Sequence, residues 1–287
     1  MLELPTPRAI LEILLPHLRI AGAYAREIQS RIVALPEKGE SENFFATALT
    51  DADLSVQTFV EVALLGKYPQ LRFYGEEWEQ SYNTKYFRGT TLGEQGDYLV
   101  TLDPIDGTRY YLDGHPYYLI ILAVLNADDY EAVIALSPSE DCYFYALRGE
   151  GCFRGKLEDD LNQCQPLRIS EPEKRVYLGW KMASLLESFP STYEVVTSKA
   201  YTKEKPIPAF ARMLQGAIAG AILDSGKFID GAALAFLAKE AGALVTNREG
   251  LPLPPLSACE DYRLPGLVIA ANAEIQRDLL DFLARSK

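Results

Sequence analysis

The six residues Asp103-Pro104-Ile105-Asp106-Gly107-Thr108 constrain this chain more than any other stretch of it. They follow a strand pattern at 98–102. Proline holds the preceding residue extended and bars ordinary ladder pairing, so the strand is expected to end at Asp103-Pro104 and the chain to turn sharply. Asp103 and Asp106 can then point into one space, while the Ile105 carbonyl offers a third oxygen. Carboxylate and carbonyl oxygens are hard ligands, suited to magnesium and unsuited to zinc. Gly107 lets the backbone approach a ligand closely. A helix starting near Thr108 would present free N–H groups to a phosphate, and the Thr108 hydroxyl can orient an attacking water.

Three other places put acids beside structural punctuation: Thr50-Asp51-Ala52-Asp53, Gly75-Glu76-Glu77 and Asp230-Gly231-Ala232-Ala233. Each alone reads as a helix cap or a charged turn; Asp230 in particular suits an N-cap at the positive end of a helix. The run from Asp103 to Thr108 is harder to explain that way, because every residue in it has a fitting role.

Around these places the chain alternates helix and strand patterns. Thr6 can cap and Pro7 suits a first turn, with apolar residues at Ile10, Ile13, Leu14 and Leu18. Pro16 is expected to kink or break this helix, and a second helical stretch to reach Ala34, before a polar loop at 37–42. Thr50 and Asp51 precede an amphipathic helix at 54–65, and 71–74 is a short strand. Runs at 117–125, 130–137 and 142–147, parted by turn residues, predict an antiparallel meander. Gly149 or Gly151 is a natural end for the first half, giving segments 1–150 and 151–287. The second half becomes legible at Asp230, with a small-residue helix closed by Gly242, strands at 244–246 and 267–271, and a last helix capped by Asn272. Helices layered on sheets, an α+β class, follow from this mixture.

Charge bears on one class of partner. With 28 basic and 40 acidic residues, a net charge of −12, the balance argues against a surface for a nucleic-acid polymer, which needs a basic stripe. Small anionic substrates remain open to it if metal ions reverse the local field. The longest apolar run, 117–125, is too short to span a bilayer, and the mixed residues 1–7 are not expected to open a signal-like leader. Its four cysteines (Cys142, Cys152, Cys164, Cys259) have no metal or disulfide spacing and read as free thiols of a cytoplasmic protein.

The four acidic places together resemble the inositol monophosphatase family. Asp103 to Thr108 matches its central signature, Gly75-Glu76-Glu77 its upstream acidic motif, and Thr50-x-x-Asp53 its T-x-x-D element. Asp230-Gly231-Ala232-Ala233 with Glu240-Ala241-Gly242 is similar to its W-D-x-A-A…E-A-G helix, with Ile229 in place of the tryptophan. Gly149-x-Gly151 with Arg154-Gly155 is similar to its G-x-G hairpin. The resemblance implies a layered αβαβα sandwich and a homodimer. It also implies two or three magnesium ions: Glu76, Asp103 and the Ile105 carbonyl for the first, Asp103, Asp106 and Asp230 for the second. Asp53 and Thr108 would orient the water, with Asp53 also beside the weaker third metal where there are three, and the Gly107 and Thr108 backbone would bind the substrate phosphate. Glu76 is thus counted with Asp53 and Thr108 among the catalytic groups.

Two departures bear on the substrate. The region 216–223 carries none of the acids with which the family binds sugar-like hydroxyls, leaving Asp224 as a substitute. Arg109-Tyr110-Tyr111 replaces the common T-N-F, and a cation there is similar to the nucleotidase branch acting on 3′-phosphoadenosine 5′-phosphate. The expected activity is hydrolysis of a small sugar or polyol phosphate. The alternatives are the same chemistry on such a nucleotide, with Arg109 and the tyrosines reading it, or a relative that binds metal and phosphate without turnover. His17 and His115 read as bland, the first exposed on a helix and the second structural.

Overall fold

The protein, as a computed structural model, is described over residues 4–32 and 48–286. Ala34 and the polar loop at 37–42 lie outside the described residues. The chain forms two compact units, one of Met1–Arg148 with Phe153–Gln165 and one of Gly149–Cys152 with Pro166–Lys287.

Helix α1 (Pro7–Ile28) opens the first unit. Thr6 caps it by accepting from the Ala9 N–H, and Pro7 occupies its first turn. Contrary to expectation, Pro16 does not break it. Pro16 is exposed, so the carbonyl deprived of a partner faces water. The buried stripe of Ile10, Leu11, Leu14, Leu15 and Leu18 continues past it to Ala21 and Ala25. Each large apolar side chain in such a stripe contributes about 1.5–3 kcal/mol, which together outweighs the roughly 3 kcal/mol cost of an internal proline. Helix α2 (Asp51–Lys67) packs beside α1 and begins with a reciprocal cap between Thr50 and Asp53.

Both helices pack on a seven-stranded sheet whose strands lie in chain order: β1 (Arg72–Gly75), β2 (Leu99–Asp106), β3 (Leu119–Leu125), β4 (Tyr130–Ser137), β5 (Cys142–Leu147), β6 (Gly151–Lys156) and β7 (Gln165–Leu167). Strands β1 and β2 pair in parallel, whereas β2 to β5 form the expected antiparallel meander. Strands β3 and β5 are buried at every position, which explains their unbroken apolar runs.

The second unit carries a mixed five-stranded sheet of order β11-β12-β10-β8-β9. Its strands are β8 (Arg175–Leu178), β9 (Glu194–Thr197), β10 (Gly220–Lys227), β11 (Leu244–Asn247) and β12 (Arg263–Ala270). Helix α4 (Gly231–Glu240) and helix α5 (Ala273–Arg285) pack on it, α5 capped by Asn272 through the Ile275 N–H. The short helix α3 (Thr108–Leu112) belongs to the first unit and is described with its site. Two mixed sheets with their helices make an α+β fold. Among the described residues no helix is long and apolar enough to cross a membrane, and all four cysteines are free thiols.

Candidate active site

Strand β2 does not stop at Asp103-Pro104 as expected; it continues to Asp106. Asp103 lies opposite Ile121 and Asp106 opposite Leu119, so three steps along β2 match two along β3. Pro104 has no N–H to give the ladder, and the extra residue is taken up as a bulge. In an unbroken strand, residues three apart face opposite sides; the bulge releases Asp103 and Asp106 from that alternation. Asp103 is 3% exposed and Asp106 half-buried. Asp103 Oδ1 accepts from the Ile105 N–H at 3.1 Å.

Gly107 then turns the chain into α3. Its backbone is left-handed (φ +87°), and a Cβ there would lie 2.8 Å from the Tyr117 carbonyl oxygen, so only glycine fits. Thr108 follows as the first residue of α3. A helix of five residues has little macrodipole, so what this end offers an anion is its local N–H groups.

Thr108 joins two distant pieces of chain. Its Oγ1 lies 2.9 Å from the Ile105 carbonyl oxygen and 3.3 Å from Asp53 Oδ1. The other oxygen of Asp53 accepts from the Thr50 N–H (2.8 Å) and the Thr50 hydroxyl (2.5 Å). Asp53 is fully buried. One carboxylate oxygen of Asp53 thus serves the cap and the other faces the Thr108 hydroxyl.

Glu76 is brought up by the parallel pairing of β1 and β2. Gly75 lies opposite Leu102, and the Glu76 N–H donates to the Leu102 carbonyl at 3.0 Å. Glu76 and Asp103 thus each come one residue after the paired Gly75 and Leu102 of two neighbouring parallel strands. Glu76 is half-buried; Glu77, its neighbour, is fully buried.

Two buried polar residues on α2, Gln57 and Glu61, escaped the sequence reading. With Asp53 they are spaced one turn apart and are at most 1% exposed. Gln57 Oε1 accepts from the Glu77 N–H at 2.9 Å, and its Nε2 donates to Glu61 Oε1 at 3.0 Å. Glu61 Oε2 accepts from the Ser81 hydroxyl at 2.5 Å. Burial pushes the Glu61 carboxyl above its ordinary value, against the opposing hydrogen bonds from Ser81, Asn83 and Gln57. The signal available was the i, i+4, i+8 spacing of three polar residues on a helix rich in apolar ones.

Other candidates have local engagements. Arg109 forms an ion pair with Asp113 (3.1 Å) one turn on, and Tyr110, Tyr111 and Tyr118 are buried, with Tyr111 and Tyr118 edge to face. Tyr111 donates to the Ala25 carbonyl at 2.6 Å, so these tyrosines pack the core. His115 stacks on Tyr117. His17 is half-buried rather than exposed, with its ring against Phe59. In the second unit, Asp230 caps α4 through the Gly231 N–H and pairs with Lys227 (3.7 Å). Asp224, on β10, pairs with Lys181 at 3.7 Å.

The donors in the first unit fit magnesium by type: all are hard carboxylate or carbonyl oxygens, and two of the acids, Asp53 and Asp103, are buried. In the present conformation Asp103 Oδ1, both oxygens of Asp53 and the Ile105 carbonyl accept from nearby N–H and O–H groups. Among the described residues, no group of three or more His, Cys, Asp or Glu side chains is arranged to hold a metal ion.

The model of the inositol monophosphatase family matches residues 9–286. A histidinol-phosphatase of Streptomyces coelicolor is 24% identical over 274 residues, covering 92% of this chain and 94% of its own. A fructose-1,6-bisphosphatase of Pyrococcus furiosus is 28% identical over 186 residues, 64% of this chain and 67% of that one. Among solved structures, the extragenic suppressor protein suhB of Bartonella henselae superposes with a TM-score of 0.70 at 19% identity, over 97% of this chain and 100% of that chain. The chain belongs to the inositol monophosphatase family.

Proposed function

We propose that this family member is a magnesium-dependent phosphomonoesterase acting on a small sugar or polyol phosphate, an inositol phosphate or a relative of one. The observation that carries the reading is the Thr108 hydroxyl held between Asp53 Oδ1 and the Ile105 carbonyl. The family is in general magnesium-dependent, and its relatives above are named as phosphatases of small substrates.

Glu76, Asp103, Asp106, the Ile105 carbonyl and, more weakly, Asp53 would hold magnesium in the first unit. For Asp230 a ligand role rests on the family resemblance alone, since in its own unit it caps α4. Bound magnesium neutralises a phosphate and lowers the pKa of water. The chain itself supplies placement. Thr108 has one hydroxyl proton and two nearby acceptors. Were the Ile105 carbonyl taken up as a metal ligand, that proton would go to Asp53 Oδ1, leaving the Thr108 Oγ1 lone pairs to accept from the attacking water. Asp53 Oδ2 stays fixed by Thr50, so the pair does not reorganise during the step. The Gly107 and Thr108 N–H groups would bind a phosphate oxygen at the bulged end of β2.

The engagement of Arg109 by Asp113 and the burial of three tyrosines weigh against a nucleotide clamp. The substrate is tested by comparing inositol phosphate, fructose bisphosphate, histidinol phosphate and 3′-phosphoadenosine 5′-phosphate under one condition. The highest kcat/KM is expected for the sugar or polyol phosphates; a clear preference for the nucleotide or for histidinol phosphate contradicts the proposed class. Sedimentation tests the homodimer that the resemblance implies.

A further inference from the structure

The Cα of Glu76 lies between two anchored peptide N–H groups. Its own N–H is held by the Leu102 carbonyl of β2, and the next one, that of Glu77, by the side chain of Gln57 on α2. The strand fixes one side of the residue and a helix side chain the other. Gly75 completes the arrangement: a Cβ on it would lie 2.4 Å from Gln57 Cδ and Oε1, so the Gln57 amide fills the space that the missing side chain leaves.

The direction of the Gln57 amide is set by Glu61. An ionised carboxylate oxygen only accepts, so Glu61 Oε1 requires the NH2 end of Gln57, and Oε1 of Gln57 is left for the Glu77 N–H. Ser81 holds the far oxygen of Glu61 at 2.5 Å. Four groups in series, Ser81, Glu61, Gln57 and the Glu77 N–H, are all satisfied in one polarity. Gln57 and Glu61 are buried, where a broken member would leave its neighbour without water to replace it.

We propose that Gln57, oriented by Glu61, is a positioning residue for the Gly75–Glu77 turn and so for the metal ligand Glu76. This rests on the reading of Glu76 as a magnesium ligand. Gln57 touches neither metal nor substrate; it fixes the backbone from which the ligand projects. Groups that orient ligands in this way typically change metal affinity by about 10–100-fold when removed.

The test uses the full chain and Mn2+ alone as the probe, with binding followed by electron paramagnetic resonance in the absence of substrate. Thermal unfolding is recorded for each variant so that affinity is compared below every transition. Gln57→Met keeps the volume and removes both hydrogen bonds, and is expected to weaken Mn2+ binding about tenfold or more. Glu61→Leu is expected to do the same, by releasing the Gln57 amide. Glu61→Gln can still accept from Gln57 and donate to Ser81, and should bind Mn2+ within about twofold of the parent. Should Gln57→Met fail to fold, the contrast between the two Glu61 variants decides. Equal Mn2+ affinity in the parent, Gln57→Met and Glu61→Leu overturns the proposal while leaving the metal site standing. Loss in Glu61→Gln equal to that in Glu61→Leu also overturns it, because the charge and not the hydrogen-bond series would then matter. A Glu76→Gln variant that binds as the parent does removes Glu76 from the metal site, and the proposal falls with that reading.

Discussion

The hydroxyl of Thr108 reaches the carboxylate of Asp53, fifty-five residues earlier in the chain, at 3.3 Å. This contact ties the first turn of α2 to the first residue of α3. It also makes a specific prediction. Thr108→Val keeps the shape and removes the hydroxyl, and should lower kcat by about 100-fold or more, the usual scale for a proton-handling group. Thr108→Ser should retain most of the activity. Steady-state phosphate release, with unfolding midpoints as a control, checks both; full activity in the valine variant contradicts the role of Thr108.

Gly107 is predicted to be intolerant of a side chain. A non-glycine residue in the left-handed region costs roughly 1–2 kcal/mol, and the close Tyr117 carbonyl adds to this. Urea unfolding of Gly107→Ala should show a destabilisation of at least that size. The same variant should lose activity, because the N–H groups beside the site must shift. Parental stability in Gly107→Ala would mean that the turn is more adaptable than its geometry indicates.

Glu61 predicts a pH dependence of stability. Burial raises its carboxyl above the ordinary 4.5, so between that value and the raised one the folded protein binds more protons than the unfolded chain. This residue's contribution therefore falls as pH rises through that window. Glu61→Gln cannot titrate, and its stability relative to the parent should improve as pH rises from 4.5. Denaturant titrations of both proteins across the window measure this; a difference independent of pH contradicts it.

In the second unit, Glu240 grips two backbone N–H groups with its two oxygens, Gly149 at 3.1 Å and Gly151 at 3.0 Å. Both glycines have positive φ, and so present their N–H groups from a tight turn. Glu240→Ala should destabilise the protein by about 1–3 kcal/mol, the scale of hydrogen bonds to a charged acceptor. Hydrogen exchange should quicken at Gly149 and Gly151 specifically. Unchanged exchange at both would contradict the staple.

What the sequence disclosed follows physical lines. The acids beside strand ends and caps were legible because their neighbours, Pro104, Gly107 and Thr50, have local conformational effects that need no tertiary partner. The bulge in β2 was not, since strand termination and a bulge both satisfy a proline, and only pairing with β3 separates them. Pro16 misled for a similar reason: a local penalty was outweighed by a buried stripe visible only in the fold. Gln57 and Glu61 carried no local signal of burial: α2 is covered on this side by the Gly75–Glu77 turn, which only the fold brings there. In the second unit, β8 and β9 are four residues each and gain their identity from parallel pairing of Arg175–Leu178 with Glu194–Thr197. No local pattern announces such a pairing.

The most direct test of the account is phosphate release from sugar and polyol phosphates with and without magnesium, in the parent and in Asp103→Asn. Asp103 is buried at the bulge, and one of its oxygens accepts from the Ile105 N–H, which an asparagine oxygen can also do. The variant should therefore fold normally, and magnesium-dependent release should be present in the parent and abolished in Asp103→Asn. Equal release by both proteins, or release from the parent that is indifferent to magnesium, would contradict the account.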